Sequence, residues 1–168
     1  PFRMPLSWLM TFVGFGTARY DFYGGDRKGN NLFANSLVAI DARTGKRIWH
    51  QQLLHHDLWD YDIPQSAKLL TIRQNGKPRQ VAAQATKFGF LFVFDRKSGQ
   101  PIWPIVERPV EKGTVPGEWY SPTQPIPTKP RAYETQGLVT DDLINFTPEL
   151  RAEAEKIVSR YKLGPVFT

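Results

Sequence analysis

All three histidines of this 168-residue chain, His50, His55 and His56, lie close to Asp57, Asp60 and Asp62. Two chemistries suit the segment His55-His56-Asp57-Leu58-Trp59-Asp60-Tyr61-Asp62. Imidazoles and carboxylates together can ligate a metal ion. Against that, adjacent side chains leave an extended backbone on opposite faces, so His55 and His56 should diverge, and no His-x-x-x-His spacing is present. The alternative is proton transfer. One carboxylate, held and desolvated by its neighbours, with Trp59 and Tyr61 as apolar walls, can serve as a general base. For Asp57 and Asp62 a plainer role is expected, the capping of turns. The chain has no cysteine, which removes disulfides and thiolate metal sites from consideration.

The elements that must hold this segment are announced by a repeat. Asp41-Ala42-Arg43-Thr44-Gly45-Lys46-Arg47-Ile48-Trp49 is answered 54 positions later by Asp95-Arg96-Lys97-Ser98-Gly99-Gln100-Pro101-Ile102-Trp103. A fixed period in this range marks a stacked or radial repeat. Each copy follows a run of strand-forming residues, Ser36–Ile40 and Phe90–Phe94. The Asp can accept main-chain N–H bonds two residues on, and the Gly supplies the left-handed position of a short bulged hairpin. The spacing predicts antiparallel hairpins over 36–52 and 90–105, with Trp49 and Trp103 equivalent and buried where successive repeats stack. Further strands are expected over 67–72 and 80–85, around the Asn75-Gly76 turn.

The remainder of the chain frames these units. Gly14 to Asn31 is rich in Gly, Asn and Asp, a composition for irregular backbone around a site. Prolines crowd residues 104–130 and predict a stiff, extended connection. Thr147-Pro148-Glu149 opens a helix expected over about 148–162, with Leu150, Ala154, Ile157, Val158 and Tyr161 on one stripe. The apolar stretch Pro5–Gly16 after Arg3 invites a signal-peptide reading, but it is too short to span a bilayer and has no small-residue cleavage site. A buried strand entering the Gly-rich loop explains it as well, and the stretch says nothing about targeting. Net charge is +6, but the cations are scattered through turns, so a nucleic-acid partner is not expected. Two or so four-stranded units cannot close a ring, and the chain is expected to be a fragment.

Taken with the two Asp-x-x-(Thr/Ser)-Gly-x-x-Ile-Trp turns, the His55–Asp62 segment closely resembles the PQQ-dependent dehydrogenases, the quinoproteins. Within them it is most similar to the membrane-bound glucose dehydrogenase branch. Gly24-Gly25-Asp26-Arg27, Ala85-Thr86-Lys87-Phe88-Gly89 and Ser121-Pro122-Thr123-Gln124-Pro125 carry the resemblance further, from about residue 14 to 130. It implies an all-β fold, with residues 1–168 forming about two blades, a Pro-rich connection and a helix of an eight-bladed β-propeller.

The resemblance also implies PQQ (pyrroloquinoline quinone) and a calcium ion as cofactors. It places Asp60 as the catalytic base that takes the substrate hydroxyl proton, and Lys87 as the cation against the quinone oxygens. Where many members carry a Gly-Asn pair that ligates calcium, this chain has Gly16-Thr17-Ala18, so Thr17 is the expected calcium ligand. The remaining ligands, and the indole stacked on the quinone, are expected upstream of Pro1, and this piece alone is expected to be inactive. The activity implied is oxidation of a sugar or other alcohol, with electrons passed to ubiquinone or cytochrome c. The location implied is the periplasm, with an inner-membrane anchor in a preceding region. A non-catalytic propeller scaffold of the outer-membrane-assembly type shares the Trp turn, but has no need of Asp60 and Lys87.

Overall fold

The computed structural model describes residues 9–168. The apolar stretch expected from Pro5 begins outside them, and its described part is the first strand. Strands β1 (Met10–Gly14), β2 (Ser36–Asp41) and β3 (Arg47–Gln52) form one antiparallel sheet, and β4 (Lys68–Gln74), β5 (Lys77–Ala85) and β6 (Leu91–Asp95) another, each in chain order. Strand periodicity explains how β6 fills two cores at once. Phe90, just before it, and Phe92 and Phe94 join Leu37, Ala39 and Trp49 between the sheets. Val93 turns the other way, to Val81, Ala83 and Ile102. A sheet with apolar groups on both faces is made to be stacked on both sides.

The two repeated turns are built alike. Asp41 Oδ1 accepts the N–H of Arg43 at 2.9 Å and of Thr44 at 3.2 Å. Asp95 Oδ1 accepts those of Lys97 at 3.1 Å and Ser98 at 3.0 Å. Gly45 and Gly99 take φ of 70° and 73°. Beyond the glycine the copies part. Arg47 opens a full strand, whereas Pro101 makes a single bridge to Phe94, so the expected second hairpin is truncated. Proline lacks the N–H that a ladder needs, and Pro104 follows closely.

The shared Ile-Trp pair consequently has opposite fates. Trp49 is 8% exposed and Ile48 46% exposed, whereas Ile102 is 8% exposed and Trp103 only half-buried. The Trp49 indole docks on the next turn, donating to the Arg96 carbonyl at 3.2 Å and lying against Phe12 and Phe94. Trp103 therefore departs from the expected equivalence. Among the described residues it packs against the edge of the smaller core of Val81, Ala83, Val93 and Ile102.

This docking makes a differential prediction. A Cβ on Gly45 would meet nothing within 4 Å, but one on Gly99 would stand 2.6 Å from the Trp49 ring. Gly45→Ala is expected to cost about 1 kcal/mol, the strain of the left-handed backbone alone. Gly99→Ala should cost about 2 kcal/mol or more, because the indole must also move. Urea unfolding of the two variants measures the difference, and equal midpoints would mean that the indole does not seat there.

The Pro-rich stretch is more ordered than an extended connection. Within it β7 (Ile105–Pro109) and β8 (Thr123–Pro127) pair antiparallel, with Pro125 opposite Glu107 and Pro127 opposite Ile105. A two-stranded ribbon tolerates proline because each strand keeps a free edge for the missing N–H. The helix, α1 (Pro148–Val158), ends before the expected boundary. Thr147 caps it by accepting the Leu150 N–H at 3.3 Å. At the other end the Ser159 hydroxyl bonds back to the Lys156 carbonyl, and the Tyr161 N–H bonds to Val158 in a tightened last turn. Its expected apolar stripe is not packed, since Leu150, Ile157 and Tyr161 are all exposed. Two short strands, β9 (Gly137–Leu138) and β10 (Gly164–Pro165), close the tail.

Topology separates structure from chemistry. The repeated turns lie at one end of the strands. At the opposite end emerge the β1–β2 loop, the β3–β4 loop and the β5–β6 turn, which carry Thr17, Asp60 and Lys87 respectively.

Candidate active site

Lys87 sits at the tip of a braced turn. The Thr86 hydroxyl accepts the Phe90 N–H at 3.1 Å and donates to the Phe90 carbonyl at 3.0 Å. Phe88, on the same turn, is buried against Tyr61, Phe90 and Phe167. Anchoring Phe88 inward leaves Lys87 outward, 45% exposed, where its ammonium meets the Asp60 carboxylate at 2.7 Å. The hydrogen bond from Lys87, with its positive charge, holds Asp60 below the usual carboxylate pKa against the opposing effect of desolvation. The same bond raises Lys87 above its ordinary value. The geometry therefore yields an ionised carboxylate and an ammonium side by side at a loop surface.

The loop that presents Asp60 is organised by Asp57, which is 1% exposed. Its Oδ1 accepts the Trp59 N–H at 2.8 Å, and its Oδ2 accepts the Tyr61 N–H at 2.7 Å and the Asn35 side-chain amide at 3.1 Å. The Thr17 hydroxyl donates to the same Oδ2. Asp57 caps its turn, as the sequence suggests, but it also ties two loops together. The sequence reading missed that second role, and missed Asn35 altogether.

Thr17 is tied to the loop that carries Asp60 through Asp57 and Asp62. Its N–H donates to Asp62 Oδ1 at 2.7 Å, which gives Asp62 a bridging role between loops rather than a simple cap. The hydroxyl oxygen, having donated its proton to Asp57, still has lone pairs. The carbonyl oxygen of Asn35 is buried without a hydrogen-bond partner. The Thr17 hydroxyl and the Asn35 carbonyl are both hard oxygen donors, the kind that suits calcium. Among the described residues no group of three or more His, Cys, Asp or Glu could hold a metal ion, so a calcium ion here needs ligands beyond these.

The two adjacent histidines do diverge. His55 bonds Gln52 and Glu107, each at 3.0 Å. His56 is buried, and its Nδ1 donates to the Gly29 carbonyl at 2.8 Å. Burial pushes the His56 imidazole below its ordinary pKa, and the nearby Arg27 charge adds to this against the bond to Gly29. A Cβ on Gly24 would stand 2.3 Å from its Nε2, so only glycine fits there. Arg27 donates to the Asp57 carbonyl at 2.7 Å, a second clasp between the Gly-rich loop and the Asp60 loop. The density of Gly and Asn over 14–31 was the available signal for these close approaches. Beside Lys87 opens a groove of about 390 Å³, bordered by Tyr61, Phe88, Glu134, Leu138 and Lys162.

A family model described as "PQQ: Glucose/ethanol/alcohol dehydrogenase, beta-propeller domain" matches residues 9–168. The quinoprotein glucose dehydrogenase of Gluconobacter oxydans is 40% identical over 133 residues, covering 73% of this chain and 16% of that protein. The glycerol dehydrogenase large subunit of the same organism is 37% identical over 142 residues, covering 83% of this chain and 19% of that protein. The crystal structure of quinohemoprotein alcohol dehydrogenase from Comamonas testosteroni superposes with a TM-score of 0.53 at 34% identity, covering 71% of this chain and 18% of that one. The chain thus spans less than a fifth of the length of these relatives, 16–19%.

Proposed function

The chain belongs to the PQQ-dependent glucose/ethanol/alcohol dehydrogenase β-propeller family, and from that premise we propose that its protein oxidises the CH–OH group of a sugar, polyol or other alcohol. The observation that carries this reading is the Asp60–Lys87 pair, 2.7 Å apart where three loops converge. Asp60 is the base that takes the hydroxyl proton of the substrate, and its low pKa keeps it ionised for that task. Lys87 sets a fixed cation where negative charge grows as hydride leaves the carbinol carbon. When bound, PQQ supplies the two-electron acceptor, and a calcium ion supplies Lewis-acid polarisation beside it.

Thr17 is the proposed calcium ligand, through its hydroxyl oxygen, which stays available after donating to Asp57. Relatives that are glucose, glycerol and quinohemoprotein alcohol dehydrogenases support the CH–OH substrate class. We place the protein in the periplasm at the inner membrane, passing electrons to ubiquinone or cytochrome c. No helix among the described residues is long and apolar enough to cross a membrane.

The test is reconstitution of the intact protein with PQQ and calcium, followed by dye-linked oxidation of glucose, glycerol and ethanol. Turnover of at least one, lost on chelation and restored by calcium, is expected. Tight PQQ binding with no oxidation of any alcohol would overturn the proposal.

A further inference from the structure

An aspartate side chain at a loop surface has two torsions free, so Asp60 can meet Lys87 reproducibly only if its backbone is held. We propose that Asp57 is the positioning residue of this site, its buried carboxylate fixing the loop that presents Asp60. The inference rests on the reading of Asp60 as the base. It deepens that reading by assigning the work of orientation to a residue that touches neither substrate nor cofactor.

Three observations carry it. First, the Asp57 carboxylate accepts the N–H groups of both residues that flank Asp60, Trp59 at 2.8 Å and Tyr61 at 2.7 Å. Asp60 between them is driven into the left-handed region, at φ 57°. Asp tolerates that conformation better than most residues, but something must enforce it. Second, those two neighbours point inward. Their rings stack at 5.9 Å, the Trp59 indole donates to the Thr168 carbonyl at 2.8 Å, and the Tyr61 hydroxyl donates to the Val166 carbonyl at 3.0 Å. With 59 and 61 seated, residue 60 faces out. Third, the same carboxylate takes the Asn35 amide and the Thr17 hydroxyl, so the Gly-rich loop is set against the Asp60 loop by one group.

Only a carboxylate suits the position. It offers acceptors on both oxygens, whereas an asparagine presents an NH₂ to donors that already point inward. A buried anion met by several donors is also a rigid element, because each donor would lose a charge-assisted bond by moving.

The experiment compares Asp57→Asn, Asn35→Gly and Asp60→Asn in the intact protein, with turnover counted per bound PQQ. Asn35→Gly keeps the left-handed backbone of residue 35, at φ 48°, and removes the amide that donates to Asp57 and to the Tyr61 carbonyl, each at 3.1 Å. For Asp57→Asn, kcat per bound PQQ is expected to fall about 100-fold with KM nearly unchanged, the scale of a misplaced catalytic group. Asn35→Gly should fall less, in the same direction. In the cofactor-free protein, hydrogen exchange over residues 57–62 should quicken in both variants, while β2 and β5 keep their protection.

If Asp57→Asn does not fold, Asp57→Glu, which keeps the charge but displaces both acceptor oxygens, takes its place and is expected to lose kcat and exchange protection over 57–62 in the same direction. Wild-type kcat together with unchanged exchange over 57–62 overturns the inference, whichever variant shows it. Failure of the underlying reading looks different: Asp60→Asn itself would keep its turnover. An inactive Asp60→Asn beside a fully active Asp57→Asn sinks only the positioning role.

Discussion

Asp60→Asn, made in the intact protein and saturated with PQQ and calcium, is expected to lower turnover by about 100-fold or more, the usual scale for losing a general base. The amide fills the same volume and can still accept a hydrogen bond from Lys87, so the loop should keep its shape. What it lacks is affinity for a proton. PQQ stoichiometry should be unchanged, because Asp60 acts on the substrate hydroxyl. Near wild-type turnover would remove Asp60 from the chemistry. The base could not then simply move to Asp57, whose buried oxygens are already engaged by Trp59, Tyr61, Asn35 and Thr17.

What the chain discloses without a structure follows the range of its interactions. The repeated turns are legible because their chemistry is local: each Asp bonds N–H groups two and three residues on, and each Gly has its φ imposed within the same turn. The fate of the Trp that follows is not local. Trp49 and Trp103 share a motif, but burial depends on whether another sheet lies against them, and Pro101 ends the second hairpin before it forms. Pairing of β7 with β8 was hidden for a related reason, because proline density argues against strands unless they are edges. Asp57 looks like a turn cap when read with its neighbours. Its further partners stand 22 and 40 residues away, at Asn35 and Thr17. The Asp60–Lys87 contact spans 27 residues; family resemblance gave each residue a role but not their contact, since no spacing rule reaches that far.

Lys87 carries the second large effect, and its variants separate two roles of one cation. Lys87→Ala should cut turnover by about 100-fold or more, the loss of one preorganised donor where charge develops, on the order of 3 kcal/mol. Lys87→Arg keeps a cation and should retain part of the activity. The pH profile supplies the independent arm. Asp60 works when ionised, so kcat/KM falls as pH drops through its pKa in the free enzyme. The hydrogen bond from Lys87 is the largest influence holding that pKa below the ordinary carboxylate value, with the Lys87 charge adding to it. Removing Lys87 takes away the largest lowering influence and leaves desolvation opposed only by the smaller effects of hydrogen bonds with Asp62 and Asp21, so the acid limb of kcat/KM should move to higher pH in Lys87→Ala. In Lys87→Arg it should stay near its wild-type position. An alanine variant with reduced turnover but an unmoved acid limb would mean that Lys87 serves the acceptor side without pairing with Asp60 in the working enzyme. A limb that moves to lower pH would contradict the pairing outright, since no loss of a neighbouring cation makes a carboxylate more acidic.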